Sequence, residues 1–132
     1  MLNCQRYISQ TKRQIQEVNT EEFFLNKDDF DIIIDVREPQ ETTQGTIPGA
    51  CCIPRGVLET SLDSLVPATE QKALTDWLPT QKVLLYCRSG GRSALAAKSL
   101  QNMGLLNVFS LAGGIEAWCE RGYPIIKTDS KE

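Results

Sequence analysis

The run Val83-Leu84-Leu85-Tyr86 passes without a break into Cys87-Arg88-Ser89-Gly90-Gly91-Arg92-Ser93. From Ser93 to Met103 the chain turns to alanine and leucine, with Ala96, Leu100 and Met103 at i, i+4 and i+7. A short apolar run reads as a buried strand, and the change to helical spacing reads as a helix packed against it. Gly104 supplies its stop. A strand feeding a glycine-rich turn and then a helix is the first half of a parallel βα crossover. It commits the chain to an α/β domain with a mainly parallel central sheet flanked by helices.

Other segments repeat the pattern. Ile32-Ile33-Ile34, between Asp31 and Asp35, is a β-branched run suited to a buried parallel strand. Ala50-Cys51-Cys52-Ile53, after Pro48-Gly49 and before Pro54, is a second short strand, and Asn107-Val108-Phe109-Ser110 another. Thr20 followed by Glu21-Glu22 predicts an N-cap and an acidic first turn, opening a helix through Phe24 and Leu25. Ile115 to Arg121 predicts a last short helix, closed by Gly122 and Pro124. The expected organisation is a helical extension over residues 1–18 docked on one domain over 19–126, then a frayed tail over 127–132. The segment Ala68 to Lys82 is either a partner-facing insert or a packed helix burying Leu74 and Leu78, and the spacing favours the packed helix.

The turn after the Val83–Tyr86 strand carries the chemistry. It lies outside the carboxyl end of a strand, where open α/β sheets bind ligands. Gly90 and Gly91 allow a tight curl with backbone angles other residues avoid, so that successive N–H groups can face inward as an anion nest beside a helix N-terminus. Arg88 and Arg92 add positive charge. Such surroundings favour a cysteine thiolate, the nucleophilic form. A cysteine ending a buried strand can also be only a small hydrophobe, but Arg, Gly, Gly and Arg after it contribute little to a core.

Composition narrows the alternatives. There is no histidine among the 132 residues, so neither a Cys–His nor a Ser–His pair can be built, and Cys87 must be activated by other means. The five cysteines show no zinc-type spacing, and no metal is expected. An odd cysteine count without a disulfide framework points to a reducing compartment, the cytoplasm. The N-terminus lacks the apolar run of a signal peptide, and no stretch approaches the roughly 20 apolar residues of a membrane helix. The net charge of −3 is spread over both signs, which argues against nucleic-acid or membrane partners.

Several segments together resemble the rhodanese-like domain family. Ile34-Asp35-Val36-Arg37-Glu38-Pro39 resembles its first signature and leads through Glu41 and Gly45 to Ile47-Pro48-Gly49-Ala50. Then come Ile53-Pro54-Arg55-Gly56, the Cys87–Ser93 segment, and Leu111-Ala112-Gly113-Gly114-Ile115-Glu116-Ala117-Trp118 as a closing signature. The resemblance covers residues 19 to 126 and implies a three-layer rhodanese-like fold. It also implies transfer of sulfane sulfur through a Cys87 persulfide, with Arg88, Ser89, Gly90, Gly91, Arg92 and Ser93 binding sulfur or an anion. It implies no metal and no organic cofactor. The expected partners are a small anionic sulfur donor such as thiosulfate and a thiol or cyanide acceptor, with a protein sulfur acceptor as a further option. Two departures from the pattern, Thr46 in place of histidine and Thr42 in place of an aromatic, bear on packing rather than on catalysis.

The remaining readings are more local. Asp35 is expected to orient an active-site arginine while Arg37 pairs with Glu41. Arg55 either reaches an anionic donor or covers surface. Cys51 and Cys52 should point to opposite faces of their strand, leaving at least one buried. Cys119 should be packed and Cys4 exposed. Two other functions stay open. One is a sulfur-relay or sensor module with little turnover. The other is a phosphatase or arsenate reductase, disfavoured because those loops place the arginine one residue further from the cysteine.

Overall fold

A computed structural model describes residues 1–127; of the tail expected over 127–132, residues 128–132 lie outside the described residues. Its elements are α1 (Cys4–Lys12), β1 (Gln16–Val18), α2 (Thr20–Asn26), β2 (Ile32–Asp35), α3 (Pro39–Thr42), β3 (Cys51–Cys52), α4 (Leu74–Trp77), β4 (Val83–Tyr86), α5 (Gly91–Asn102), β5 (Val108–Leu111) and α6 (Gly114–Glu120). The five strands form one sheet in the order β1-β5-β4-β2-β3, and every pairing is parallel.

Side chains take up free amides at the starts of α2 and α3. Asn19, one residue before the expected Thr20, caps α2 through the Glu22 amide, and the Glu22 carboxylate returns to the Asn19 amide. At α3, Pro39 stands in the first turn, and Glu38 and Glu41 form a reciprocal capping box.

The sheet separates two cores because strand side chains alternate. Val83, Leu85 and Cys87 face Ala96, Ala97 and Leu100 of α5, together with Trp77 and Leu78. Leu84 and Tyr86 face the other way, onto Phe23, Leu111, Ile115 and Trp118. Each fully buried large apolar side chain contributes about 1.5–3 kcal/mol. The 68–82 segment divides: residues 68–73 are almost all exposed, and only the stretch from Leu74 to Leu78 packs on the domain, partly as a helix. α4 is followed by a 3₁₀ turn at Leu78–Thr80, with Leu78 buried and Leu74 half-buried.

Two expectations about termini change in detail. The N-terminal helix exists and packs on α5, but Gln16–Val18 is also the edge strand of the sheet, in register with Phe109–Leu111. At the other end, Thr46 and Ile126 exchange both backbone hydrogen bonds, at 2.8 and 2.9 Å. Thr46 is buried at this bridge, and Thr42 is buried with its hydroxyl donating to the Pro39 carbonyl.

Candidate active site

Cys87 follows the last residue of β4 with only 1% of its surface exposed. The chain then curls so that the amides of Gly90 and Ser93 both point at its Sγ, at 3.2 and 3.4 Å. Gly90 makes the curl possible with φ of +108°, a conformation side chains avoid. Gly91 differs from the expectation. It is the first residue of α5 with ordinary helical geometry, and its bare Cα instead lets Ile8 of α1 approach; a Cβ there would stand 3.1 Å from Ile8 Cδ1. The helix therefore begins two residues before Ser93, which carries the Ser93 side chain inward. The Cys87 thiol donates to Ser93 Oγ at 3.5 Å, and Ser93 Oγ lies 2.8 Å from Ser110 Oγ on β5.

The loop is fastened from behind by the β5–α6 turn. The amides of Ile115 and Glu116 donate to the carbonyls of Cys87 and Arg88, at 2.9 and 3.0 Å. This approach needs Gly114, with φ of +59°. A Cβ at that position would overlap the Arg88 carbonyl and stand 2.6 Å from the Cys87 oxygen.

The loop arginines are not free charges. Arg92 donates from both terminal nitrogens to the Glu41 carboxylate, at 2.7 and 2.9 Å. That bond holds the Glu41 carboxyl down at about 2 and raises Arg92. Arg88 is exposed and pairs through Nε with Glu116 at 2.8 Å. Ser89 is exposed. With both guanidinium groups on carboxylates, the positive character at Sγ comes mainly from the Gly90 and Ser93 amides. A third cation comes from outside the loop: Lys12 Nζ of α1 lies 3.8 Å from where a Cβ on Gly90 would stand, and no carboxylate holds it among the described residues.

The supporting pairs are arranged differently from the sequence expectation. Asp35 holds Arg37, not a loop arginine. Arg37 Nη2 meets Asp35 Oδ2 at 2.8 Å, with the two side chains 7% and 0% exposed. Arg37 also donates to the Gly45 carbonyl, and it reaches Glu41 only at its backbone oxygen. Burial works against the Arg37 charge, but the Asp35 hydrogen bonds and charge outweigh it and raise the guanidinium. Arg55 pairs with Glu59, whose carboxylate also accepts from Ser99 of α5. It does not line the cleft beside the Cys87 loop, an opening of about 580 Å³ bordered by Arg37, Glu41, Arg88 and Glu116.

The other cysteines also depart from expectation. Cys51 and Cys52 are both exposed, because β3 is a two-residue strand at the sheet edge. Partial burial of the Cys52 thiol, and then the nearby Asp35 charge, raise its pKa. Cys119 is exposed and borders the cleft instead of packing in the core, and Cys4 is exposed as expected. Among the described residues no group of histidine, cysteine or carboxylate side chains could hold a metal ion. Ser110, Glu41 and Lys12 were not singled out as site residues from sequence. Only Ser110 carried a signal, as a hydroxyl inside the apolar run Val108–Leu111.

A buried cysteine ringed by amides, at the carboxyl end of a central parallel strand, defines a protein of the cysteine-loop α/β class. More narrowly, a family model for the rhodanese-like domain matches residues 20–121, and the chain belongs to that family. A sulfurtransferase from Allochromatium vinosum is 36% identical over 95 residues, covering 72% of this chain and 78% of that protein. Thiosulfate sulfurtransferase 16, chloroplastic, from Arabidopsis thaliana is 32% identical over 91 residues, 69% of this chain and 76% of that protein. Among solved structures, a Rhodopseudomonas palustris protein of unknown function, described as a possible tyrosine phosphatase, matches with a TM-score of 0.78. It is 33% identical, with 96% of each chain covered.

Proposed function

We propose that the protein is a sulfurtransferase that moves sulfane sulfur from an anionic donor such as thiosulfate to a thiol or to cyanide, through a persulfide on Cys87. The observation that carries this reading is the pair of amides, from Gly90 and Ser93, aimed at a single buried Sγ. In the first step the Cys87 thiolate attacks the outer sulfur of thiosulfate. An S–S bond forms at Sγ, the S–S bond of the donor breaks, and its electron pair leaves with sulfite. The loop amides hold the negative charge of the sulfur carried on Cys87. In the second step a thiolate or cyanide attacks that outer sulfur, taking it as a new persulfide or as thiocyanate, and the Cys87 thiolate returns. No net oxidation occurs over the cycle, and neither step calls for a metal or organic cofactor.

The phosphatase reading draws on the description of the Rhodopseudomonas protein named above. Three features weigh against it. The loop has four residues between Cys87 and Arg92, one fewer than phosphatase loops of similar design, and Arg92 is turned onto Glu41 rather than into the loop. A cysteine residue at 1% exposure is also better matched to a slender terminal sulfur than to a tetrahedral phosphoryl group. A relay module that turns over only with a partner protein is the other alternative. It would share the Cys87 persulfide but not the catalytic rate on small donors. Five free cysteines fit work in a reducing compartment such as the cytoplasm.

The test is an assay of purified protein against thiosulfate with cyanide, a persulfide donor, and an aryl phosphate. Thiocyanate production that disappears in Cys87→Ser and survives single replacement of Cys4, Cys51, Cys52 or Cys119 is the expected result. Retained turnover in Cys87→Ser overturns the mechanism. Release of phosphate without thiocyanate favours the phosphatase, and a stable persulfide without turnover favours the relay.

A further inference from the structure

β5 runs Val108-Phe109-Ser110-Leu111, and Ser110 is wholly buried. Its backbone belongs to the sheet, in register with Glu17 and Leu85. A hydroxyl buried there loses its water and gains nothing that an alanine would lack, unless it is hydrogen-bonded. Among the described residues its Oγ has one partner, Ser93 Oγ at 2.8 Å, and Ser93 Oγ has Cys87 Sγ beyond it at 3.5 Å. Three heteroatoms are linked in series: sulfur, hydroxyl, hydroxyl.

Counting hydrogens along that line shows which state of sulfur it suits. The line has two links. A thiol and two hydroxyls bring three hydrogens, so one is left without an acceptor in the chain. A sulfur with no proton brings the number to two, and both are used: Ser110 donates to Ser93, and Ser93 donates to Sγ. We infer that Ser110 is a positioning residue, which turns the Ser93 hydroxyl toward Cys87 Sγ and so favours that sulfur when it carries no proton, as the thiolate or within a persulfide. Moving between the two arrangements takes only rotation about two Cβ–Oγ bonds. Hydrogen bonds in series strengthen one another, so the Ser93 bond to an anionic sulfur is stronger with Ser110 behind it.

The charged groups on the surrounding elements are Arg37–Asp35, Arg92–Glu41, Arg88–Glu116, Lys12 and the exposed Glu17 in register with Ser110 on β1, with the Tyr86 phenol on β4. None of them bonds to the Ser110 hydroxyl, so replacing that hydroxyl leaves them in place. The inference rests on Cys87 being the reacting atom, as proposed above. Its measurement needs no sulfur donor, so failure of the sulfurtransferase reading would show in the turnover assay and not here.

The experiment follows alkylation of the Cys87 peptide by iodoacetamide against pH, resolved by mass spectrometry. In Ser110→Ala the midpoint should rise by roughly 0.2–0.5 pH unit, the scale of a cooperative fraction of one charge-assisted hydrogen bond. Ser110→Thr, which restores a hydroxyl and suits a strand, should return it, and Ser93→Ala should raise it further. In the unaltered protein the Ser110 ¹³Cβ resonance should move with the same midpoint as Cys87 alkylation, a readout that holds even if Ser110→Ala fails to fold. An unchanged midpoint in folded Ser110→Ala, or a Ser110 resonance that does not follow Cys87, overturns the inference.

Discussion

Arg92 and Glu41 lie 51 residues apart in sequence and meet through two parallel N–H···O bonds of 2.7 and 2.9 Å, which tie the first turn of α5 to α3. The guanidinium that follows the cysteine loop is thus held in place by a neighbouring helix. Arg92→Ala and Glu41→Gln should therefore act on the same element, by loosening the loop. Each should lower kcat/KM for thiosulfate by about tenfold or less, which is about 1.4 kcal/mol. The double replacement should be little worse than either alone. Kinetics of the four proteins would check this, and additive losses would mean that Arg92 also meets the donor directly.

The same pair has an acid limit. Glu41 is held at about 2 by the Arg92 hydrogen bond, against an ordinary value of 4.5. A carboxyl depressed in the folded protein contributes stability that is complete above its unfolded value and is lost as pH falls toward the folded one. Wild type should exceed Glu41→Gln in urea stability at pH 6, by about 1 kcal/mol or less because the pair is partly open to solvent. The difference should shrink between pH 4.5 and 2.

Asp35 and Arg37 should behave differently because both side chains are buried. Removing one partner leaves the other charge without compensation, so Asp35→Ala should lower stability by about 3–5 kcal/mol. Urea unfolding at neutral pH would measure it. A loss below 1 kcal/mol would mean that water reaches Arg37.

Gly114→Ala should impair the site without touching any polar side chain. The added methyl collides with the backbone oxygens of Cys87 and Arg88, and it also places alanine at φ of +59°. Unfolding should be easier by at least about 1 kcal/mol. Turnover should fall more steeply than stability, because the displaced atoms belong to the cysteine loop. A crystal structure of the variant would show the loop moved away from α6.

The parts of this architecture that follow from local pattern are legible in sequence. The Val83–Tyr86 run, the glycine turn and the alanine-rich helix each declare themselves within a few residues, and they place Cys87 correctly. The features without a local signature depend on contacts between distant segments. Gln16-Glu17-Val18 has no apolar run and is a strand because β5 offers it an edge. Glu41 reaches Arg92 only after the chain has crossed the sheet, so spacing contains no trace of the pair, and by spacing alone Arg37 is the nearer partner of Glu41. Alternation predicted a buried cysteine at 51 or 52, but alternation buries a side chain only where something packs on that face. A two-residue edge strand has too little cover on either side.

The short strand β1 also decides how the protein can be trimmed. A chain cut back to residues 20–121, the span of the family match, would lose it. The outer N–H and C=O groups of Val108–Leu111 would then stand unpaired, next to Phe109. A bare strand of that kind recruits another strand from a neighbouring molecule. The trimmed protein would be expected to self-associate through that edge, and it would also lose Ile8 and Lys12 from beside the loop.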